Sequence, residues 1–398
     1  MNAIITFFPV GNGDMTLIQL ESGRTILIDI NIRAVSDDVR DVLADLRARL
    51  RKDGSGRHYV DAMLLTHPDQ DHCRGLKEHF HLGPLSEYAE PDKGEDGKFI
   101  IREMWSSPMV FRRKPKDEIY SDDALAWCSE ARRRANLFKK NKFAVTGDRI
   151  QVMGEDEDGK TGDLKDVLVK AGEKITKING DADSTFEGFL IAPKGKGDAT
   201  EEERRSKNHS SVIIRFSIAN GSVPGAVKYL AGGDAFVEIW ERVWADHKNK
   251  RSNLEYHILG SPHHCSWRSL SSESWSVEAE ASDDARRALG QALDGAFIVA
   301  SSKQVIDNDD DPPCIGAKWE YEEILNEVDG TFVNTAKHTL NGEAYPMEFE
   351  VLATGLVLHK AGSELGVEAA KAKLAAATVL GKQQDREPVI KQGERRFA

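Results

Sequence analysis

The stretch Leu64-Leu65-Thr66-His67-Pro68-Asp69-Gln70-Asp71-His72 joins a mostly apolar run to a dense group of polar side chains. The apolar run, residues 60–65, predicts a buried strand, so the polar residues lie on the loop at its carboxyl end, where α/β folds commonly place their chemistry. Two histidines and two aspartates within six residues are metal-ligand types, and crowded carboxylates are costly unless a cation neutralises them. The alternative is a polar turn whose aspartates only cap a helix. Capping needs fewer such residues, so we favour a metal site.

These four ligand candidates divide into two pairs. His67 and Asp69 are two residues apart, so an extended loop points both side chains the same way. Asp71 and His72 are adjacent and diverge, which suits a second site. The loop therefore predicts ligands for up to two cations.

The resulting pattern, His-x-Asp-x-Asp-His, resembles the His-x-His-x-Asp-His signature of the metallo-β-lactamase superfamily, with Asp69 in place of the second histidine. This variant is similar to the lactamase-type domain of the ComEC competence proteins and their soluble relatives. The resemblance implies an α/β fold of the αββα sandwich type and two divalent metal ions, zinc or manganese. Because Asp69 adds an anionic oxygen donor, we expect manganese to serve at least as well as zinc.

Two later motifs repeat the arrangement of an apolar strand followed by ligand-type residues. Residues 229–235 end in Gly232-Gly233-Asp234, and the resemblance makes Asp234 a metal-bridging carboxylate; by itself the motif would be an ordinary turn. Residues 258–266 contain Pro262-His263-His264-Cys265-Ser266, which resembles a Pro-His-His-Gly-Ser element of the ComEC type. This likeness implies that His264 is a ligand and that His263 acts as a catalytic acid or contacts the substrate.

The resemblance implies several further roles. His209, in Asn208-His209-Ser210-Ser211, lies where related enzymes complete the first metal site, although it is equally compatible with a solvent-exposed or substrate-contacting histidine. Asp14 follows a glycine-rich turn and either orients a ligand or satisfies backbone donors of that turn. Asp71 is implied as a metal ligand that also takes part in catalysis.

Composition limits the classes of partner. The chain has 398 residues and a formal net charge of −12, so it has no overall attraction for nucleic acid or an anionic membrane. Four scattered cysteines, with no visible secretion signal, predict a reduced protein in the cytoplasm. No apolar run is long enough for a membrane span, so we expect no membrane contact.

We predict one large domain, residues 1–362, followed by an alanine-rich helix and a mobile tail over residues 363–398. Residues 84–208 depart from a minimal lactamase-type domain and are predicted as an insertion, partly helical and basic. Within it, residues 111–150 carry 11 Lys/Arg against 6 Asp/Glu. This basic segment indicates either a surface for phosphate groups of nucleic acid or a solvated helix face, and it is also a candidate docking surface for a partner protein. The candidate substrate-binding residues are Arg132, Arg133, Lys139 and Lys140.

Together the motifs predict a metal-dependent hydrolase, above all a phosphodiesterase or nuclease that uses a metal-activated hydroxide on DNA. A second hypothesis is a hydrolase of a small ester, lactam, thioester or cyclic nucleotide. A third is a partner-regulated binding module that keeps the fold. The intact ligand set argues against the third hypothesis, because a module without catalysis need not keep it.

Overall fold

The computed structural model describes residues 2–36, 38–88, 97–112, 119–156, 159–195, 208–277 and 279–372. Its strands are β1 (Ile4–Phe7), β2 (Thr16–Gln19), β3 (Thr25–Ile28), β4 (Ile30–Asn31), β5 (Tyr59–Leu65), β6 (Phe80–His81), β7 (Phe99–Ser106), β8 (Arg149–Met153), β9 (Leu168–Val169), β10 (Lys174–Ile175), β11 (Lys177–Ile178), β12 (Asp181–Ala182), β13 (Phe186–Ala192), β14 (Ile213–Asn220), β15 (Val223–Ala231), β16 (Tyr256–Gly260), β17 (Ala292–Ala300), β18 (Thr331–Asn334), β19 (Thr339–Leu340), β20 (Glu343–Ala344), β21 (Met347–Leu352) and β22 (Gly355–Leu358).

The α-helices are α1 (Val42–Arg49), α2 (Gln70–Cys73), α3 (Leu76–His79), α4 (Met109–Arg112), α5 (Asp122–Asn141), α6 (Val237–His247), α7 (Asp283–Leu289) and α8 (Ile315–Asn326). Short 3-10 helices occupy Leu85–Glu87, Gly162–Val167, Asn208–Ser210, Arg251–Asn253, Trp267–Ser269, Trp275–Val277 and Thr335–Lys337. Residues 365–372 are also helical. The predicted C-terminal helix therefore has its first residues in the structure, whereas the rest of it and the predicted mobile tail lie outside the described residues.

Two large sheets form the body of this mixed α/β protein. The first runs in the order β22-β21-β1-β2-β3-β5-β7-β8-β9, with β6 also paired to β7, and the second in the order β10-β13-β14-β15-β16-β17-β18. Strands β3, β5, β7 and β8 are parallel, and so are β15 to β18. Parallel neighbours place their carboxyl ends at one edge of a sheet, so each sheet has one edge where the following loops collect.

Apolar side chains from both sheets meet in a shared core. It includes Ile5 and Leu64 of the first sheet and Phe216 and Ile258 of the second, all fully buried. Trp105 on β7 stacks on Phe216 across the interface, with ring centroids 6.4 Å apart and planes 12° apart. The alternation of inward and outward residues along each strand explains why the two faces of a sheet can build separate cores.

Helices cover the outer faces of both sheets. Helices α1 and α5 pack on the first sheet through residues such as Leu46 and Trp127. Helices α6, α7 and α8 pack on the second through Trp240, Leu289 and Tyr321. The layers are thus helix, sheet, sheet, helix. None of the helices in the described part of the chain has the length and apolar character needed to cross a bilayer.

The segment 84–208 is built into this body. It supplies β7, β8 and β9 to the first sheet and β10 and β13 to the second. Strand β7 pairs with β5 along most of its length, from Tyr59 opposite Ile100 to Leu65 opposite Ser106. The segment predicted as an insertion therefore contributes to the shared core, and its helix α5 forms part of the outer layer.

Helix α1 is shorter than the sequence predicts. The apolar pattern predicts a helix over residues 37–52, whereas the structure has α1 at Val42–Arg49. Asp41 caps it, because Asp41 Oδ1 accepts a hydrogen bond from the Ala44 amide at 2.9 Å. Position 37, where the prediction begins, lies outside the described residues. With Asp41 as its cap, the helix begins at Val42, later than the apolar pattern predicts.

Candidate metal centre

The fold brings the three predicted motifs together at the carboxyl ends of the parallel strands. Ile28 on β3 pairs with Leu64 on β5, and Leu230 on β15 pairs with Leu259 on β16. The loops that follow these strands therefore meet at one edge of the sandwich. A backbone hydrogen bond of 3.0 Å from the Val212 amide to the Thr66 carbonyl joins the two sheets at this edge.

Six side chains at this edge, which we call the Asp234 cluster, can hold cations. They form two groups, in each of which the ligand atoms lie within 4.8 Å of one another: His67, Asp69 and Asp234; and Asp14, His72, Asp234 and His264. Asp234 belongs to both groups. Five of these residues are predicted ligands. His67 and Asp69 fall in one group and His72 and His264 in the other, whereas Asp71, predicted to pair with His72, belongs to neither.

Distances show how tightly the cluster is drawn together. Asp234 Oδ2 lies 3.4 Å from His67 Nε2 and 3.5 Å from His264 Nε2, and Asp234 Oδ1 lies 3.2 Å from His72 Nε2. The two imidazoles of His72 and His264 approach to 3.2 Å between their Nε2 atoms. Three imidazoles therefore face one carboxylate, which is an arrangement of metal-ligand donors.

Several of these buried atoms lack a hydrogen-bond partner among the described residues. They include His67 Nε2, Asp234 Oδ1 and His264 Nδ1. Contacts such as the one between His72 Nε2 and Asp234 Oδ1 are close without being aligned as hydrogen bonds. Buried polar atoms nearly always have a hydrogen-bond partner, so a group of such atoms without one needs an explanation. A bound cation supplies one, and the donor set fits it, because neutral imidazoles and carboxylates are the ligands of zinc and manganese.

The protonation equilibria also favour a cation. Burial would lower the pKa of His67, but the Asp234 and Asp69 carboxylates outweigh burial and raise that pKa to about 9. In the same way, burial is outweighed at His264, where Asp234 and Asp71 raise the pKa to about 10. Burial would raise the pKa of Asp234, but the surrounding histidines hold it well below its usual value. Without a metal, protons on the histidines offset the carboxylates, and a bound cation would take over that role.

Two aspartates that the sequence did not assign as ligands complete the centre. Asp14 joins the second metal group, and its position follows from the turn before β2, where the Asp14 amide donates to the Asp71 carbonyl at 3.2 Å. Gly13 allows this approach, because a Cβ at this position would come within 2.7 Å of the Asp71 carbonyl oxygen. The signal for Asp14 in the sequence was its position just before β2. Strand β2 neighbours β3, and this pairing brings Asp14 to the edge where the other motifs meet.

Asp29 orients the first motif through its contacts with Thr66 and His72. Its Oδ2 lies 2.8 Å from His72 Nδ1 and accepts a 2.5 Å hydrogen bond from Thr66 Oγ1, while Oδ1 accepts from the Thr66 amide at 2.7 Å. A carboxylate on the far nitrogen fixes the orientation of a metal-ligating imidazole and makes it a better donor. Asp29 directly follows β3, and the parallel pairing of β3 with β5 carries it under the motif.

The second histidine motif adopts strained backbone. His263, His264 and Cys265 have φ values of 50°, 55° and 71°, in the left-handed region that side chains with a Cβ seldom occupy. Hydrogen bonds hold the turn, from the His263 amide to the Gly233 carbonyl at 3.0 Å and from the Cys314 amide to the Cys265 carbonyl at 2.9 Å. Such strain is characteristic of functional sites, where the surroundings impose it. Cys265 is buried and belongs to neither metal group.

Two predicted ligands stand outside the metal groups. His209 Nε2 lies 3.2 Å from Glu238 Oε2, and its ring packs against Phe236, so the structure places it beside helix α6 and not with the cluster. Asp71 is closer, because its Oδ2 lies 3.3 Å from His264 Nε2, but its side chain is one-third exposed and belongs to neither group. His263 also lies at the rim, with Nε2 3.5 Å from Asp234 Oδ2.

The predicted substrate-binding residues on α5 separate into different environments. Arg133 is held by Glu130 and Asp148, with Nη–carboxylate distances of 2.7 Å to each, and is therefore occupied. Arg132 and Lys139 line a cavity, whereas Lys140 is exposed and does not line it. The positive surface predicted from the sequence is thus divided between internal ion pairs, a cavity wall and solvent.

A scan against protein-family models found no match, and a search of curated proteins found none either. The donors of the Asp234 cluster and their geometry are therefore the basis for assigning a function to this chain.

Proposed function

We propose that this chain is a metal-dependent phosphodiesterase or nuclease acting on DNA, with two divalent cations, zinc or manganese, in the Asp234 cluster. The observation that carries the proposal is the sharing of buried Asp234 between two closely spaced groups of donors whose histidines are all buried. The order of layers and the three motifs support the likeness to the metallo-β-lactamase superfamily, and the His-x-Asp-x-Asp-His motif supports the ComEC-type branch.

When bound, two close divalent cations would supply hydroxide at neutral pH and neutralise charge that develops on the phosphoryl oxygens. The protein supplies the positioning. Asp234 reaches both groups, because its Oδ2 faces His67 and His264 and its Oδ1 faces His72. Asp29 keeps His72 in a single orientation. Because every one of these side chains is almost fully buried, the donors are held in place before substrate arrives.

Asp71 and His263 lie at the rim and are assigned to the substrate side. Burial would raise the pKa of Asp71, but His264 and, to a smaller extent, His72 outweigh burial and lower that pKa. Asp71 is therefore ionised at neutral pH and can accept a hydrogen bond from the attacking water. Burial lowers the pKa of His263, so this imidazole is neutral at pH 7. A neutral imidazole suits hydrogen bonding to a substrate oxygen better than protonation of a leaving group, so we assign His263 the first role.

The test combines metal analysis with a substrate screen on the same preparations. The full-length chain is loaded with zinc or manganese, and hydrolysis of DNA, RNA and bis(p-nitrophenyl) phosphate is measured after excess metal is removed. We expect metal to co-purify and DNA to be cleaved. A chain that binds metal but hydrolyses only esters, lactams or thioesters would contradict the assignment to phosphodiesters.

The two adjacent histidines give a matched pair of variants. His264→Asn should lose metal and activity together, whereas His263→Asn should keep metal and lose about 10²- to 10³-fold in rate, the range for loss of one hydrogen bond to a reacting oxygen. Asparagine tolerates left-handed backbone, so neither change disturbs the turn. If His263→Asn empties the centre and His264→Asn does not, the two roles are reversed.

A further inference from the structure

A cavity of about 320 Å³ lies between helix α5 and the carboxyl ends of β7 and β8, outside the metal centre. Among the residues that the structure describes, four cationic side chains and one carboxylate line it: Arg112, Arg132, Lys139, Lys160 and Asp156. Arg112 and Asp156 form an ion pair with an Nη2–Oδ2 distance of 2.5 Å, so they largely neutralise each other. The remaining lining is positive, which predicts an anionic ligand.

Two of the cations are set in place for a ligand. Lys139 Nζ donates to the backbone carbonyl of Lys160 at 3.3 Å, which holds its ammonium group at the cavity while leaving its remaining donors for an anion. Arg132 has no ion pair with any residue that the structure describes, and it stands about two turns from Lys139 on the same face of the helix. Both side chains come from a rigid 20-residue helix, so they present a fixed pair of positive groups.

Part of the cavity lining is apolar. Phe111, Ala135, Ile150, Val152 and Leu164 contribute to it. Phe111 is only partly buried and is held edge-on by Tyr120, with ring centroids 5.6 Å apart. A flat aromatic group could pack against these side chains, because aromatic and aliphatic groups contact a flat ring without requiring hydrogen bonds. The lining therefore fits a molecule that is anionic at one end and flat and apolar at the other.

The cavity begins next to the metal loop. Ser106 and Ser107 form part of its wall, and Ser106 on β7 lies directly opposite Leu65 on β5, two residues before His67. Neighbouring strands are about 4.8 Å apart, so the wall of the cavity stands one strand spacing from the first metal motif. Trp127 Nε1 donates to Ser106 Oγ at 3.0 Å and fixes this part of the wall.

We propose that this cavity binds one nucleotide-sized unit of the substrate, with its phosphate at Arg132 and Lys139 and its base against the apolar wall. The volume is at the lower end of ligand pockets, which suits a single nucleotide and not an extended strand. The inference rests on the proposed function, because it takes the unit in the cavity to be joined to the phosphodiester at the metal centre.

The first experiment measures binding to the full-length chain after removal of metal with EDTA, so that the metal centre does not contribute. Calorimetry with AMP, adenosine and inorganic phosphate tests the two ends of the ligand separately. We expect AMP to bind at least about tenfold more tightly than either part, because charge-assisted hydrogen bonds and stacking act together. Equal affinity for phosphate and AMP, or no binding of AMP, would overturn the proposal.

Matched lysines on helix α5 provide the control. Lys139→Gln and Arg132→Gln should each weaken AMP binding about tenfold, as expected for loss of one charge-assisted hydrogen bond. Lys142→Gln should leave it within about twofold, because Lys142 Nζ makes a similar contact, 3.5 Å from the Asp163 carbonyl, but does not line the cavity. An equal effect of the Lys139 and Lys142 variants would show a diffuse charge effect and would contradict a built site.

Cys128 offers a second measurement. It lines the cavity and is partly exposed, whereas Cys73, Cys265 and Cys314 are buried. Burial raises the pKa of the Cys128 thiol, so alkylation should be slow but specific to this residue. AMP should protect Cys128 from alkylation, and it should fail to do so in the Lys139→Gln variant. Alkylation that proceeds at the same rate with saturating AMP would place the nucleotide elsewhere.

Kinetics on the metal-loaded chain separate this inference from the proposed function. Lys139→Gln should raise KM for a short oligonucleotide, whereas Lys142→Gln should leave that KM unchanged, because Lys139 lines the cavity and Lys142 does not. An unchanged KM would remove the cavity from the substrate path. If the wild-type chain hydrolyses no phosphodiester yet binds AMP with the expected pattern, the proposed function fails and the nucleotide site stands by itself.

Discussion

The metal motifs and the basic residues of helix α5 were each identified as a group of chemically similar side chains. The structure brings the first group together and separates the second. Each metal motif follows a strand, and the parallel pairing of β3 with β5 and of β15 with β16 brings the motifs to one edge. The basic residues of α5 lie on a helix whose positions face in all directions. Arg134 is fully buried, Arg133 is paired, and Arg132 and Lys139 reach a cavity.

The difference shows what determines where a charged side chain lies and whether it is paired internally or exposed. After a strand, topology fixes the location of a side chain, so spacing along the chain predicts which residues meet. On a helix, the packed face determines whether a charge is internal or free, and that face is set by distant strands. Arg134 illustrates this, because it donates to the carbonyls of Ile101 on β7 and Arg149 on β8, both at 3.1 Å.

The largest effect should come from Asp234, the residue shared by the two metal groups. Asp234→Ala should abolish both metal binding and hydrolysis, whereas Asp69→Ala should remove only the His67 site, so metal content falls from about two cations per chain to about one. The fold should survive in both variants, because histidines that lose a facing carboxylate can release their protons and stay buried as neutral imidazoles. Elemental analysis of the two purified variants measures this directly. Equal metal content in both variants would contradict the sharing of Asp234.

The next effect separates the two kinds of arginine on α5. Arg134→Met should destabilise the protein by about 3–5 kcal/mol, because it leaves Glu130 buried with one partner fewer. Arg132→Met, at an exposed position, should change stability by no more than about 0.5 kcal/mol. Urea unfolding followed by fluorescence compares them. Similar stabilities for both variants would mean that the buried ion pair contributes little to the fold.

Much of the fold could be predicted from sequence periodicity. Strands β1 to β3, β5 and β14 to β16, and helices α5 and α6, lie where alternating or helical apolar patterns place them. Residues 347–358 were expected as one strand, but the structure has a hairpin of β21 and β22, because Ala353 and Thr354 form a turn. Strand β7 was not predicted, although its residues 99–106 are buried and apolar for the most part, because such a run does not distinguish a strand from a helix.

The metal ligands could also be predicted in large part, because five of the six residues in the Asp234 cluster were identified from the sequence. Asp14 was recognised only as an orienting or turn residue, since nothing along the chain reveals how near the turn at Gly13 comes to Asp71. His209 was placed by likeness to related enzymes, but the structure puts it next to Glu238. The cavity beside α5 could not be predicted, because it is formed by four separate segments.

The smallest of these effects should come from Asp29, which touches a ligand but belongs to neither metal group. Asp29→Asn keeps the shape of the side chain and tolerates the φ of 53° at this position. It removes the negative charge opposite His72 Nδ1, so His72 should become a weaker donor, and metal affinity should fall about 10- to 100-fold. Competition with a chelator of known affinity measures this change, and circular dichroism provides the control for folding. The loss should be overcome by added metal, because the ligands themselves remain, and hydrolysis should return towards the wild-type rate at saturation. An affinity equal to that of the wild type would mean that the hydrogen bonds from Thr66, and not the charge of Asp29, hold His72 in place.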